Sequence, residues 1–486
     1  MPLNLTRMTE KQTVLLQIAV LIALTLLAYL EVRHHYFVWD TIPFVLKNPW
    51  IHELNANNLT SIFTEAHRAN WHPVVLLSHA LDFSVFGDDA GKHHLTNLAL
   101  HCINVLLLYW LVVNLLTRFH QSSGFSIWVA FLTALIFALH PQHVESVAWV
   151  VERKDVLYTA FALASLLTYL RLNTLANAKF RDHAWPFLFF CLSISAKPMA
   201  VTIPVVMLIL DIAPLNRVRN LNSLFMLGVE KLHYIALSAV IVLVTLSTQS
   251  EAMPGTAKLP VWASTLNAID NSWFYVTHYF WPIKLSPFYP YPQEVSYLAS
   301  WRFWLPGSAF LTVMTVSTLV LLKRGYTWPF LLFAFYIVTL LPVSGLIHVG
   351  PAKGMDHYVY LATVPLSLLT ALAIVAAWIR LGVSRLVATI FSVTYISFLL
   401  LITQVQVSVW NNPLSLWTRV TELYPSDPYG HRNLAASYVQ IGNWDLALQH
   451  AELSLKLGSP DEAYVIKLRT EYERLKVDKG NSEPNR

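Results

Sequence analysis

An all-α, polytopic membrane fold is what this sequence predicts, and three observations predict it. Hydrophobic residues make up 55% of the chain and charged residues only 13%, whereas a soluble domain carries about 25% charged. The apolar residues gather in long runs, and aromatic residues, at 13%, supply rings for two membrane interfaces. The Lys and Arg residues cluster between alternate runs. This composition argues against an ordinary cytosolic enzyme. A net charge of +5 without a basic tract leaves no nucleic-acid footprint. The only cysteines, Cys102 and Cys191, both lie in apolar runs and make neither a disulfide framework nor a zinc site.

A span needs ~20 mostly apolar residues. About eleven candidates follow in order: 13–31, 95–116, 126–140, 156–173, 185–196, 199–214, 233–249, 303–322, 328–346, 359–379 and 386–406. The first follows Arg7 and Lys11 without a small-residue cleavage site, so it reads as a retained helix rather than a signal peptide. Arg118, Arg171 with Lys179 and Arg181, Arg217 with Arg219 and Lys231, Lys323 with Arg324, and Arg380 with Arg385 then share the face of Arg7 and Lys11. By the positive-inside rule that face is cytoplasmic and the C-terminus is outside. The short pair 185–196 and 199–214 also reads as one re-entrant hairpin, which leaves the later parity unchanged. The long connections 32–94, 141–155, 250–302 and 347–358 fall on the opposite face and hold the notable acids, histidines and aromatics.

The first of these connections opens with Phe37-Val38-Trp39-Asp40. An acid beside Trp at the membrane surface meets a lipid headgroup, or it simply caps a helix. Further on come Asn70-Trp71-His72-Pro73, His79, Asp82 and His93-His94. His94, Asn97, His101 and Asn104 recur every three or four residues, a polar stripe on an apolar helix that faces a bundle interior. The second connection, His140-Pro141-Gln142-His143-Val144-Glu145-Ser146-Val147-Ala148-Trp149-Val150-Val151-Glu152-Arg153-Lys154-Asp155, is the most specific. If helical, it puts Glu145, Trp149 and Glu152 on one face. Its His140, His143 and Glu145 are possible metal ligands, but not at the HExxH spacing. Arg153 and Lys154, with Lys197 in Ala196-Lys197-Pro198, read as phosphate-binding cations or as snorkelling side chains. The third connection carries Trp273, Phe274, Tyr275, Tyr279, Phe280, Trp281 and Phe288-Tyr289-Pro290-Tyr291-Pro292, either an interfacial belt or the walls of an isoprenoid groove. The fourth holds Lys353-Gly354-Met355-Asp356-His357-Tyr358.

After about residue 410 the chain becomes polar and helical. Asp427-Pro428 reads as an N-cap with proline at the first helical position, and Ser459-Pro460-Asp461-Glu462 repeats the signal. Gly442 and Gly458 stand where helices stop. Pro425 and Pro460 lie near one tetratricopeptide-repeat period apart, with flanking helices at 413–423 and 461–476. Three segments result: 1–409 in the membrane, 410–478 as a short repeat-like helical module, and 479–486 as an unstructured tail. The module is either a stabilising cap or a groove for a protein.

Together Phe37-Val-Trp-Asp40, Trp71 to Asn97, His140 to Asp155, Ala196-Lys-Pro198, Asn267 to Pro292 and Asp356-His-Tyr358 resemble the transmembrane and tetratricopeptide repeat O-mannosyltransferases. These are GT-C class glycosyltransferases that use lipid-linked sugars. The resemblance runs over the whole chain in order. Two departures stand out: Asp40 is followed by Thr41 rather than a second acid, and position 357 is His where the family usually has Arg. The resemblance implies transfer of a sugar, mannose being expected, from a polyprenyl-phosphate donor to a hydroxyl of an extracytoplasmic protein. It implies Asp40 as general base, with Arg153, Lys154, Lys197 and His357 at the donor phosphate. Glu145, Glu152, His140, His143, His94 and Asp356 are then expected to orient sugar or acceptor. No cofactor or metal is expected, and the acceptor docks on 410–478. The short tail and compact loops favour a bacterial inner membrane, with the N-terminus cytoplasmic and the module periplasmic. Transfer to a lipid or polysaccharide, or a non-catalytic envelope scaffold, are the competing readings.

Overall fold

Side-chain caps and prolines decide where the helices of this chain begin. In the computed structural model, which describes residues 9–119, 121–173, 179–252, 259–292, 294–346, 352–380 and 384–482, Thr9 caps α1 (Glu10–Tyr29) through a reciprocal bond with Gln12. Within the first external connection lie α2 (Ala56–Thr64), capped by Asn55, and α3 (Pro73–Phe86), opened by its proline. Next come α4 (Ala90–Arg118), α5 (Ser123–Ala138), the short α6 (Val144–Ala148) and α7 (Arg153–Leu172). The middle of the chain forms α8 (Phe180–Ala196), α9 (Ile203–Ile212), α10 (Leu221–Glu230), α11 (Leu232–Ala252) and α12 (Val261–Phe280). The last apolar helices are α13 (Trp301–Lys323), α14 (Trp328–Leu340), α15 (Val364–Arg380) and α16 (Arg385–Val409).

Helix α4 lies at the centre, against α1, α5 and α7; α7 pairs with α8, α15 with α5, and α16 with α1. The stripe expected on α4 faces inward: His94, Asn97, His101 and Asn104 are all fully buried. His101 Nε2 donates to Ala138 O (3.1 Å) and its Nδ1 meets Tyr360 Oη (2.6 Å). Asn104 Nδ2 donates to Val156 O (2.8 Å). At Gly307 a Cβ would stand 2.2 Å from Ile269 O, so a missing side chain is what lets α13 lie against α12.

Among the described residues five helical segments are long and apolar enough to cross a membrane: Glu10–His34, Ala90–Arg118, Val150–Leu172, Trp301–Lys323 and Leu386–Val409. Two bent pairs, α5 with the 141–148 segment and α10 with α11, raise the number to seven. The protein is a multi-pass integral membrane protein. Three other expected spans are shorter apolar helices, Pro198–Ile212, Trp328–Val343 and Val364–Ile379, which at 1.5 Å per residue fall short of a ~30 Å core, and the expected span 185–196 lies in α8. Two connections expected to be loops carry helices instead, α3 in the first and α12 in the third. A minimal antiparallel ribbon, β1 (Tyr289–Pro290) with β2 (Ala352–Gly354), joins the third connection to the fourth. Part of that fourth connection, 347–351, lies outside the described residues, as does Arg7.

The polar tail forms α17 (Pro413–Leu423), α18 (Pro428–Gln440), α19 (Trp444–Lys456) and α20 (Glu462–Ser482), each packed on the next. Asp427 caps α18, its carboxylate accepting from Gly430 N (2.7 Å). Gly442 and Gly458 adopt φ of 76° and 99° where α18 and α19 end. The backbone of α20 continues to Ser482, so 479–482 are helical and not part of an unstructured tail. Residues 483–486 lie outside the described set. Ala435, Ala447 and Ala451 are fully buried between these helices, which lets them approach closely. Ala451→Leu should overpack that contact and cost about 1–3 kcal/mol. Earlier tryptic release of the module from the full-length protein in detergent is the expected signature.

Candidate active site

A break in helix geometry builds the site. Helix α6 stops at Trp149, whose backbone turns extended (φ −101°, ψ 111°), and a 3₁₀ turn over Val150–Glu152 leads into α7. Glu145, Trp149 and Glu152 therefore do not form one helical stripe. The break instead brings both glutamates to His357. Glu145 Oε1 lies 2.7 Å from His357 Nδ1 and its Oε2 accepts from the His357 amide (3.3 Å). Glu152 Oε2 lies 3.6 Å from His357 Nε2.

Glu152 also gathers the cations. Its Oε1 is 2.7 Å from Lys154 Nζ and its Oε2 3.4 Å from Lys197 Nζ, which makes a second, very short contact with Asp155. Burial holds the His357 ring far below its ordinary pKa; Glu152 opposes that, and Lys197 and Lys154 reinforce it. His357 thus sits between two carboxylates in an environment whose burial disfavours the charged ring.

Arg153 has a different fate from its neighbours. Its guanidinium is fully buried and points away from this cluster. Nη2 pairs with Asp82 (2.6 Å) and donates to His93 O (2.9 Å), while Nε donates to Asn97 Oδ1 (2.8 Å). Nη1 reaches Ser78 O and Oγ, both at 3.3 Å. With its donors consumed by α3 and α4, Arg153 cannot meet a donor phosphate, and the sequence expectation is corrected there.

Asp40 arrives from the other side. Trp39 adopts a left-handed backbone (φ 49°), which costs about 1–2 kcal/mol for a residue with a Cβ. Its ring stacks on Trp149 at 4.7 Å and 5°. After this kink Asp40 O accepts from Phe44 N (3.0 Å), opening the turn Ile42–Leu46. Burial raises the Asp40 pKa; Lys154 pulls it down, Glu152 pushes it up and Arg68 again lowers it.

These elements enclose a cavity of about 370 Å³. Its polar end carries Asp40, His72, Glu152, Lys154, Lys197 and His357. Its apolar end is walled by Val201, Val242, Leu246, Pro342 and Val343. Val242 and Leu246 also belong to the outer face of α11, where they are 38% and 45% exposed, so the apolar end reaches the lipid-facing side. Of the aromatics expected to wall a groove, Phe288 and Tyr291 line this cavity, whereas Phe280 and Trp281 face outward.

The remaining expected residues sit elsewhere. His140 is buried and stacked on Tyr279 (4.2 Å, 5°), with Nε2 donating to Tyr279 O (2.9 Å). His143 donates from Nδ1 to Phe137 O (2.6 Å) and meets Thr363 Oγ1 through Nε2 (2.7 Å). His94 Nε2 reaches Tyr36 O at 3.4 Å. Asp356 accepts from Tyr289 Oη (2.9 Å), and burial pushes its carboxyl up to about 7. None of these four lines the cavity. Asp155 and Tyr429, which carry no expected role, belong to the site: Asp155 pairs with Lys197 and Tyr429 lines the cavity. Asp155 stood in the quoted motif, one residue from Lys154; Tyr429 left no local signal because a helix more than 270 residues away brings it.

Glu152, Asp155 and His357 each offer a ligand atom within 4.8 Å of one another. Lys197 pairs with both of those acids, so a cation could enter only by displacing an ammonium already there.

No family model matches the chain. Curated relatives do. The mouse (Mus musculus) protein O-mannosyl-transferase TMTC2 is 30% identical over 148 residues, 30% of this chain and 16% of the relative. A Caenorhabditis elegans protein O-mannosyl-transferase is 28% identical over 172 residues, 33% of this chain and 24% of the relative. The matched stretch thus covers a quarter or less of those relatives' length. Among solved structures, the chain is similar to the Archaeoglobus fulgidus oligosaccharyltransferase in its apo form, with TM-score 0.48 and 13% identity over 87% of this chain and 60% of that one. It is also similar to ArnT from Cupriavidus metallidurans bound to undecaprenyl phosphate, with TM-score 0.37 and 12% identity over 92% and 76%. The resemblance to the transmembrane O-mannosyltransferases is borne out by the curated mouse and Caenorhabditis elegans relatives.

Two tests follow from the geometry. Arg153→Met leaves buried Asp82 uncompensated and should destabilise the protein by about 3–5 kcal/mol, whereas Lys154→Met, at a partly exposed position, should leave the melting temperature within a few degrees. Asp356 has a folded pKa above its unfolded value, so it binds its proton more tightly when folded. Its stabilisation is present below about pH 4 and lost as pH rises through about 7. Between those limits the melting temperature of Asp356→Asn should fall less than that of wild type.

Proposed function

We propose that this relative of the protein O-mannosyl-transferases is a membrane glycosyltransferase. It moves a sugar, mannose by resemblance, from a polyprenyl-phosphate donor to a hydroxyl of an extracytoplasmic protein. The observation that carries this reading is the cavity itself. One end sets a half-buried acid against two ammonium groups, and the other reaches the lipid-facing surface of α11. That is the shape of a ligand with a charged sugar head and a hydrocarbon tail.

In this reading the tail lies along Val242, Leu246, Pro342 and Val343, and the phosphate meets Lys154 and Lys197. The carboxylate of Asp40 takes the proton from the acceptor hydroxyl. The acceptor oxygen then attacks the anomeric carbon from the face opposite the phosphate. The bond from that carbon to the phosphate oxygen breaks, and polyprenyl phosphate leaves with the electron pair. Lys154 and Lys197 stabilise the charge that grows on the phosphate. Burial brings the basicity of Asp40 closer to the operating pH, which improves a general base. Glu152, Glu145 and Asp155 hold the lysines and His357 in place. A phosphomonoester leaves readily, and Lys197 already occupies the space between Glu152 and Asp155, so the reaction runs without a divalent ion. The membrane domain comprises 1–409, and the module at 410–478 receives the acceptor. The charge distribution supports a cytoplasmic N-terminus and an extracytoplasmic module, and the short tail and compact loops favour a bacterial inner membrane.

Asp40→Asn should lower transfer from polyprenyl-phosphate mannose to envelope proteins by about 10²–10⁴-fold in nanodiscs, while binding of the donor lipid persists. EDTA should leave wild-type transfer unchanged. Full activity in folded Asp40→Asn would remove Asp40 as base. Failure of every polyprenyl-phosphate sugar with folded wild type would favour the scaffold.

A further inference from the structure

The C-terminal module reaches the cavity with its own side chains. Tyr429, on α18, lines it together with Trp39 and Asp40. Trp417, on α17, is 3% exposed and meets the ring of Trp39 edge-on at 5.0 Å and 71°. Tyr429 packs against Trp417 at 5.6 Å and Phe288 at 4.9 Å, and lies 6.5 Å from Trp39. On its other side Trp39 stacks on Trp149, which in turn stacks on Trp410 at the end of α16. The ring of Trp39 is therefore held between the membrane bundle and the module.

Hydrogen bonds fix the same junction. Tyr36 N donates to Asn411 O (2.9 Å), and Arg419 donates to Ile283 O and Leu285 O, both at 3.3 Å. Trp39 is one of four non-glycine residues with positive φ among the described residues. A backbone of that kind persists only where surrounding packing over-determines it. Here the packing comes from both sides of the ring, and the following residue is Asp40.

We infer that Trp417 and Tyr429 are positioning residues for Asp40. The module forms one wall of the reaction cavity and clamps Trp39, so the carboxylate is presented only when the module is docked. This rests on the reading of Asp40 as base, but the clamp is measurable without activity. The module is then a structural part of the catalytic domain as well as a surface on which an acceptor could dock. Transfer would depend on it even for an acceptor too short to touch the rest of the module.

Hydrogen exchange over residues 38–46 tests the clamp, because the amides of Thr41, Ile42 and Phe44 are bonded within that stretch. Wild type, Trp417→Ala, Tyr429→Ala and Trp417→Phe are compared as full chains in nanodiscs. Each is also assayed for transfer from polyprenyl-phosphate mannose to a short serine-containing peptide. In the two alanine variants exchange over 38–46 should rise at least ten-fold, while peptides from α4 and α7 exchange as in wild type. Their kcat should fall at least ten-fold with the donor KM within two-fold, and Trp417→Phe should restore both readouts. Unchanged exchange over 38–46 in both alanine variants would overturn the clamp. So would a uniform rise that includes α4 and α7 in both, which would make the module a general stabiliser. Local loss of protection in a protein that transfers no sugar even as wild type would support the clamp and overturn the base.

Discussion

A polypeptide buried in an apolar bundle has no water to satisfy its backbone, and this constraint organises the protein. Between α5 and α7 the chain leaves helical geometry and frees several carbonyls. Each finds a side chain, three of the four from a distant element. His143 donates to Phe137 O, His101 to Ala138 O, Thr403 to Leu139 O and Asn97 to Trp149 O. The polar stripe on α4 is thus the complement of a broken helix. Arg153 joins the same set, tying α3 and α4 to the start of α7 through Asp82, Ser78, His93 and Asn97. Because such bonds replace water, losing one partner leaves a buried polar group unsatisfied.

That anchoring places the charged residues of the cavity. Arg153 and Lys154 are adjacent, yet one closes a structural network and the other faces the cavity. Consecutive residues at a helix start point about 100° apart, so the two cations could not do the same job. Glu152 lies on the cavity side, where it orders Lys154, Lys197 and His357. The result is a compact set of opposed charges at the closed end of a cavity whose open end is apolar. In the proposed function this arrangement pre-orients the ammonium groups for a phosphate.

Much of this was legible locally. The apolar runs, the polar stripe on α4, the Asp427 cap and the helix at 413–423 each depend on neighbours within a few residues, so a linear reading finds them. The 140–155 segment stood out for the density of its polar groups. Its histidines looked like ligands, yet His140 and His143 are bonded into the bundle and do not line the cavity. A sequence cannot distinguish a histidine that satisfies a buried carbonyl from one that meets a ligand, because both need the same ring. Helices α3 and α12 lie in connections for other reasons: the apolar run Pro73–Phe86 is too short for a span, and the polar and aromatic residues of α12 resemble those of a membrane-surface loop.

The sequence by itself determined that the chain is an α-helical membrane protein, and it placed the acids and lysines of interest in a few connections. Composition and periodicity carry that information, since they follow from how each residue partitions between lipid and water. Only the tertiary structure decided that Arg153 is committed to Asp82, that Glu152 and Asp155 hold Lys197, and that Trp39 lies between Trp149 and Trp417. Those outcomes depend on which way a side chain points and on what a distant segment brings to it. Trp39 and Trp417 are separated by about three quarters of the chain, and no local rule links them.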